Sequence, residues 1–336
     1  MAHYSEPFSG AIQSHYFGYI LYMFRVLKIT VFVSILAFIS LAVLIGGEEL
    51  YINFSKHVDR REVKIIFGGD LMFDRHIRSK AEEGDYNSIF DDLREYLLSA
   101  DVVLANLEGP ITEATSVSQG SKIGSPENYT FTFSPEIIDV LEESNIRLVN
   151  LGNNHILNFG DWGLNQTKEF LKYSSIKYFG ILGREGHFYK KNGLNIYFIN
   201  YNEFQNIISR DDILKEVSEA NEAFDFVVVY THWGDEYKEE PREDIREFAH
   251  KLVLVGADLI IGSHPHVIGE IEYFEDVPIY YSLGNFVFDQ YWEESVRKGL
   301  LVEVSFKKKG LSVIKETKIE NKLDGRVYLS KNSLAE

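Results

Sequence analysis

Cysteine is absent from this chain of 336 residues, which excludes disulfides, thiolate metal sites and cysteine nucleophiles. Basic residues are outnumbered, 34 against 51 acidic ones, for a formal charge of −17. That balance disfavours a nucleic-acid partner, because phosphate backbones are held mainly by clustered lysine and arginine. No Gly-x-Ser-x-Gly elbow occurs, which argues against a serine hydrolase. Internal repeats and linkers are also lacking, so the chain from about residue 60 onward reads as one α/β domain. What the sequence does have is apolar material: 45% hydrophobic and 14% aromatic residues suffice for a packed core.

Ile29 to Gly47 carries no charge over nineteen positions, about the length that crosses a hydrocarbon core as a helix. It is read as a membrane anchor, with a cleaved signal peptide or a buried core helix as alternatives. Arg25 and Lys28 precede it and Glu48 and Glu49 follow, which orients residues 1–28 to the cytoplasm and everything beyond to the exterior. Before Glu49 the only charged residues are Glu6, Arg25, Lys28 and Glu48, so the acidic excess lies entirely beyond the anchor. It suits a solvated surface, and acidic groups can also gather around a cation.

Past the anchor, short apolar runs alternate with helical patterns. Strands are predicted at Val63–Phe67, Asp101–Ala105, Ile146–Leu151, Ile176–Phe179, Leu194–Asn200, Asp225–Tyr230, Ala257–Ile261, Val277–Ser282 and Gly299–Phe306. An alternating, antiparallel edge strand is predicted at Leu311–Ile319. Helices are predicted over residues 87–99, from a Ser134 cap with Pro135 at the first position through Glu143, over Asp161–Lys172, and from Pro241 to Val255, where Gly256 stops the last. Ala114 to Tyr129 is placed as a substrate-facing loop, with a mobile Ser- and Gly-rich stretch as the alternative.

The strand ends carry the chemistry. Asp70, Glu108, Asn154, His155, His232, His264 and His266 each follow an apolar run, where open α/β sheets place their ligand sites. In His264-Pro265-His266 both imidazoles point the same way from an extended backbone, and Pro265 holds the turn. Singly, each residue has a plainer reading: Asp70 as a turn former, Glu108 as a loop cap, Asn153 and Asn154 as left-handed turn residues, His232 as a packed core histidine, His264 and His266 as a surface pair. Five strand ends all carrying ligand-type residues favour a metal site. Carboxylate, amide and imidazole donors suit manganese, iron or zinc, as one ion or two.

The ordered blocks Gly69-Asp70-Leu71-Met72 with Arg75, Asn106-Leu107-Glu108-Gly109-Pro110, Asn153-Asn154-His155, His232-Trp233-Gly234-Asp235-Glu236-Tyr237, Gly262-Ser263-His264-Pro265-His266 and Tyr281-Ser282-Leu283-Gly284-Asn285-Phe286 resemble the CapA (PgsA) capsule-synthesis family. That resemblance implies a role in making or exporting poly-γ-glutamate, and one N-terminal membrane helix. It also implies a calcineurin-like metallophosphatase fold over residues 60–320, a four-layer sandwich of two mixed sheets flanked by helices, with a tail at 321–336. Asp70 and His266 would hold one metal, Glu108 would bridge, Asn154, His232 and His264 would hold a second, and His155 would give a proton to a leaving group. Met72 departs from the metallophosphatase pattern, which has a histidine there, so the first metal would lack a ligand. Asn158 departs from the CapA pattern, which usually has an acid there. Arg75, Trp233 and Glu236 are candidates for substrate contact, and Ser282 and Asn285 are read as shaping the turn.

Two functions follow from the same motifs. One is a membrane-anchored, metal-dependent hydrolase with phosphoesterase-like chemistry on an anionic polymer or phosphoester. The other is a non-catalytic polymer-binding or scaffold subunit of a membrane synthase or export complex.

Overall fold

The computed structural model describes Met23 and residues 26–35, 37, 38, 62–181, 186–205 and 207–330. It divides into two units, Met1–Arg60 and Arg61–Glu336. In the first, the described residues are helical and exposed. Most of the predicted cytoplasmic segment and the second half of the predicted anchor lie outside the described residues, and among those described no helix is long and apolar enough to cross a membrane.

In chain order the second unit runs β1 (Glu62–Leu71), α1 (Arg75–Glu83), α2 (Arg94–Leu98), β2 (Val102–Leu107), α3 (Ile137–Glu143), β3 (Ile146–Asn150), α4 (Gly160–Lys172) and β4 (Lys177–Phe179). It continues with β5 (His187–Lys191), β6 (Leu194–Asn202), α5 (Arg210–Ala223), β7 (Phe226–His232), α6 (Glu243–Leu254), β8 (Leu259–Ser263), β9 (Ile271–Phe274) and β10 (Val277–Tyr280). β11 (Asn285–Val287), β12 (Lys298–Lys307), β13 (Gly310–Asn321) and β14 (Val327–Leu329) complete it.

The strands form an eight-stranded sheet in the order β14-β13-β12-β1-β2-β3-β4, with β11 paired to the end of β1, and a six-stranded sheet in the order β5-β6-β7-β8-β10-β9. Both sheets are mixed: β1 to β4 run parallel, as do β6, β7, β8 and β10, while β12, β13, β5 and β9 join antiparallel.

Strand alternation sorts the apolar residues into three layers. Val63, Ile65 and Phe67 of β1 meet Ile196, Phe198, Val228, Tyr230 and Ile261 between the sheets. Ile66, Val103, Ala105 and Val149 face the other way, onto Ile77, Ile137, Val140 and Leu164 of the helices. On the far side, Val227, Val229 and Ile260 pack against Ile213, Val217, Phe248 and Leu252 of α5 and α6. Helices, sheet, sheet, helices: the four layers are the arrangement the resemblance implies. Strands buried on both faces also explain why their sequences read as unbroken apolar runs.

Several boundaries differ from expectation. Residues 87–99 form a 3-10 turn at Tyr86–Phe90 and the short α2. α3 starts at Ile137, after Glu136, and takes no side-chain cap from Ser134. β13 is antiparallel but internal, because β14 pairs with it beyond residue 320, in what was expected to be a tail. α1 and α5 were not anticipated, since each buries only a few apolar side chains: Ile77 and Ala81 in α1, Ile213, Val217 and Ala220 in α5. α5 begins in a capping box between Ser209 and Asp212.

Candidate metal centre

Close packing of glycine aims the first ligand. A Cβ on Gly69 would lie 1.9 Å from the Gly284 carbonyl oxygen, so only glycine lets β1 pass this near the chain leading into β11. The β1–β2 register shifts between Phe67 and Asp70, a bulge that sets Asp70 beside Asn106. Asn106 Nδ2 donates to Asp70 Oδ1 at 2.7 Å and lies 3.5 Å from Glu108 Oε2. Asn150 and Asn153 in turn donate to Asn106 Oδ1, each at 3.0 Å, so the amide that orients both acids is itself fixed.

Asp70, Glu108 and His232 are fully buried, and each offers a ligand atom within 4.8 Å of the other two. His266 joins them, its Nε2 3.7 Å from Glu108 Oε1 and its Nδ1 3.4 Å from Asp70 Oδ2. The His264 ring centre lies 4.9 Å from that of His232 and 5.9 Å from that of His266. Asn154 Oδ1 stands 2.8 Å from His232 Nε2. His155 Nε2 is 3.8 Å from Glu108 Oε1. The expected ligand residues and the expected proton donor thus occupy one cluster.

Neighbours select the tautomers. Ser263 Oγ donates to Thr231 O at 2.8 Å, so it accepts from His232 Nδ1 at 3.0 Å; Nε2 and Asn154 Oδ1, 2.8 Å apart, then turn two lone pairs toward each other, an arrangement that suits two ligands of one cation. The Asn106 amide nitrogen, 3.3 Å from the same Nδ1, has Asp70 as its nearer partner. Asn285 Nδ2 is used on His266 O, Gln290 Oε1 and Val296 O, so Asn285 Oδ1 accepts from His266 Nδ1 at 3.0 Å and frees Nε2. Outer partners of this kind orient ligating imidazoles. His264 and His266 adopt left-handed backbone, φ 98° and 59°, on either side of Pro265.

Two buried atoms in the cluster have no hydrogen-bond partner, Glu108 Oε1 and His264 Nδ1. Buried acceptors without partners are rare, and a cation among these donors would satisfy both. The electrostatics agree. Burial, with the neighbouring Asp70 charge, pushes the Glu108 carboxyl well above the usual range. Asp70 resists its own burial through the hydrogen bonds from His266 and Asn106, and stays below that range. Burial, reinforced by His266, takes His264 down to about 3. Burial, then His264, holds His232 well below its ordinary value. At neutral pH His232 and His264 are therefore neutral, the form that binds a metal.

The residues from Asp70 to Asp289 that build this centre fall within the stretch, 64–290, matched by the family described as bacterial capsule synthesis protein PGA_cap. The chain belongs to that family. It is 31% identical over 277 residues to the PGA biosynthesis protein CapA of Bacillus subtilis (strain 168), covering 76% of this chain and 70% of that protein. It is 26% identical over 287 residues to the capsule biosynthesis protein CapA of Bacillus anthracis, covering 77% and 67%. Among solved structures, a novel phosphatase from Mycoplasma pneumoniae aligns at 16% identity with a TM-score of 0.48, over 82% of this chain and 97% of that one.

Within this family member the remaining expected site residues separate. Arg75, at φ 51°, holds its guanidinium 5.1 Å over the Phe131 ring and 5.4 Å over Phe288, is paired with Asp289, and reaches Asn128 at 3.4 Å from the expected substrate loop. Glu236 is exposed, and its charge acts on Glu108. Trp233, expected at the substrate, is instead a core residue: it is 1% exposed, stacks on Tyr281, edges Tyr201 and Phe248, and donates from Nε1 to Tyr281 O. Met72 is buried and its sulfur accepts from the Asp74 backbone, so it lends nothing to the acids. Asn158 keeps a place beside the site: its Oδ1 accepts from Phe131 N at 2.8 Å and from His155 Nδ1 at 3.1 Å. Burial takes His155 down to about 4 despite that bond, so at neutral pH its Nε2 is an acceptor.

Ser282 shapes its turn as expected, with Oγ donating to Val267 O and accepting from Gly284 N. Asn285 does more than the expected turn role, since it fixes His266. Asn106 and Ser263 were not expected to act at all. The available signal was a polar residue inside or just after an apolar strand.

Proposed function

We propose that this chain is a membrane-anchored participant in capsule or poly-γ-glutamate formation that carries a metal-dependent, phosphoesterase-like hydrolase site. The observation that carries the reading is the convergence of Asp70, Glu108 and His232 within 4.8 Å, beside two buried acceptors that lack partners. The relatives' names support the biological setting: a PGA biosynthesis protein, a capsule biosynthesis protein and, at 23% identity over 222 residues, a probable polyglutamine synthesis accessory protein of Mycobacterium tuberculosis. On this reading residues 29–47 anchor the chain in the cell membrane, the second unit works outside the cytoplasm, and its partners are an anionic polymer or phosphoester and subunits of a synthase or export complex.

Asp70, Glu108, Asn154, His232, His264 and His266 would hold one or two ions of manganese, iron or zinc. Such an ion supplies Lewis acidity toward water and toward a phosphoryl or acyl oxygen. The protein does the rest. Phe131, its ring centre 4.4 Å from that of His155, shields the imidazole from water, and Asn158 holds its Nδ1. His155 Nε2 thereby faces the Glu108 side of the cluster, where it would take the proton released by the attacking water and pass it to the leaving oxygen. Arg75 supplies a guanidinium for an oxyanion.

The test uses the full-length chain in detergent with manganese and aryl phosphate mono- and diesters. Turnover is expected, and His155→Ala should lower kcat by roughly 10²–10⁴-fold while elemental analysis finds the metal retained. Met72, in place of a ligand, favours the second reading, a non-catalytic polymer-binding or scaffold subunit. A metal-loaded chain inert toward every ester and toward a glutamyl polymer would favour that subunit role instead.

A further inference from the structure

Left-handed backbone gathers at this site. Tyr237 (φ 63°), His264 (98°) and His266 (59°) have neighbouring rings, and Arg75 (51°) lies over Phe288, which packs on His266. The other described non-glycine residues with positive φ are Asn145 and Asn192, which tolerate it, and Glu275 and Asp276 in the β9–β10 hairpin. Strain of this kind persists where the surroundings enforce it, and it concentrates at functional sites. His264, His266 and Arg75 have parts in the chemistry above. Tyr237 does not.

Tyr237 is tied to the turn that carries the two histidines: its backbone N donates to Pro265 O at 2.8 Å. Its ring centre is 6.3 Å from that of His266, and Trp292 meets it edge-on at 5.7 Å. The hydroxyl ends a directed chain of hydrogen bonds. His266 Nδ1 donates to Asn285 Oδ1, Asn285 Nδ2 donates to Gln290 Oε1 at 3.1 Å, and Gln290 Nε2 donates to the Tyr237 hydroxyl at 3.4 Å. Because the oxygen accepts from Gln290, its own proton is turned outward, where the exposed Glu236 carboxylate stands beside it. Tyr237 is 42% exposed and Glu236 is exposed beside it, so the hydroxyl is open to a ligand that displaces that carboxylate. Arg75, whose charge acts on both Tyr237 and Glu108, has a buried Nε without a partner, while its terminal nitrogens are on Asp289 and Asn128.

We propose that Tyr237 is a substrate-contacting specificity residue, donating a hydrogen bond from its hydroxyl to a non-reacting oxygen of an oxyanionic substrate held against Arg75. Gln290 is its positioning residue. The inference rests on the oxyanion-processing reading of the site, and binding separates the two. Inorganic phosphate is titrated calorimetrically into the manganese-loaded full-length chain, with aryl phosphate kinetics, metal content and melting temperature measured in parallel. Tyr237→Phe is expected to weaken phosphate binding about tenfold and to raise KM by a similar factor with a smaller change in kcat, leaving metal content and melting temperature unchanged. Gln290→Leu should reproduce part of that loss. If wild type binds phosphate without turning over any ester, the hydrolase reading fails while Tyr237 is still judged by the binding data. Unchanged affinity in Tyr237→Phe overturns the proposal, as does a wild type that binds no phosphate. Loss of metal or of thermal stability in Tyr237→Phe would overturn it too, by making the residue structural.

Discussion

Along β1, β2, β7 and β8 the same strands are two different materials. Between the sheets they present Val63, Ile65, Phe67, Val102, Leu104, Val228, Tyr230 and Ile261 to one another, apolar but for the Tyr230 hydroxyl, which donates to Gly68 O. One turn further on they present Asp70, Asn106, Glu108, His232 and Ser263, equally buried. Apolar burial stabilises in proportion to area and tolerates variation in shape. The polar end stabilises little by itself, since a desolvated carboxylate and left-handed histidines work against folding. The inter-sheet layer therefore holds the strand ends in a geometry they would not adopt alone. A site of this kind needs a surplus of stability beside it.

Substitutions in the two regions should then differ in sign. Phe198 lies fully buried between the sheets with Phe67 and Phe179 ring centres at 6.5 and 6.0 Å, and Phe198→Ala should destabilise by about 3–5 kcal/mol in chemical denaturation. A loss under about 1 kcal/mol would mean the layer is not the source of the surplus. At the strand ends the contrast sharpens. Burial, with the Asp70 charge, raises the Glu108 carboxyl, so above the ordinary carboxylate range its burial opposes folding, and Glu108→Gln removes that penalty. The metal-stripped variant should be about 1–3 kcal/mol more stable than the metal-stripped wild type, while manganese binding is lost. A destabilised Glu108→Gln would erase the comparison.

The surface gives the smallest effect. Arg242, then Arg210, hold the Asp244 carboxyl down to about 2 from an ordinary 3.8. Stability from this pair is therefore complete above about pH 4 and disappears as pH falls through 2. Its side chain is 50% exposed, so solvent screening limits the contribution to about 0.5 kcal/mol. Asp244→Asn should flatten acid unfolding only within that window, and a difference persisting at pH 7 beyond this size would show a buried role.

The fold was legible where burial is two-sided. Strands such as Phe226–His232 are apolar on both faces, so their runs and the polar residues that end them stand out in one dimension. α1 and α5 were hidden because a helix that buries one narrow stripe leaves mostly polar residues in sequence. β14 is three residues long and pairs only through its neighbour. Trp233 misled because adjacency to His232 along a strand means the opposite face: His232 points to the centre, and the indole points into the core beneath α6.

By itself the sequence determined which residue types stand at which strand ends, and with them the donor chemistry, because apolar runs and their polar terminations are local patterns. Only the tertiary structure decided that those ends meet, that Asn285 and Ser263 choose the imidazole tautomers, and that burial leaves His155 an acceptor at neutral pH. Distances between strands and the removal of water are properties of packing, and no single stretch of chain contains them.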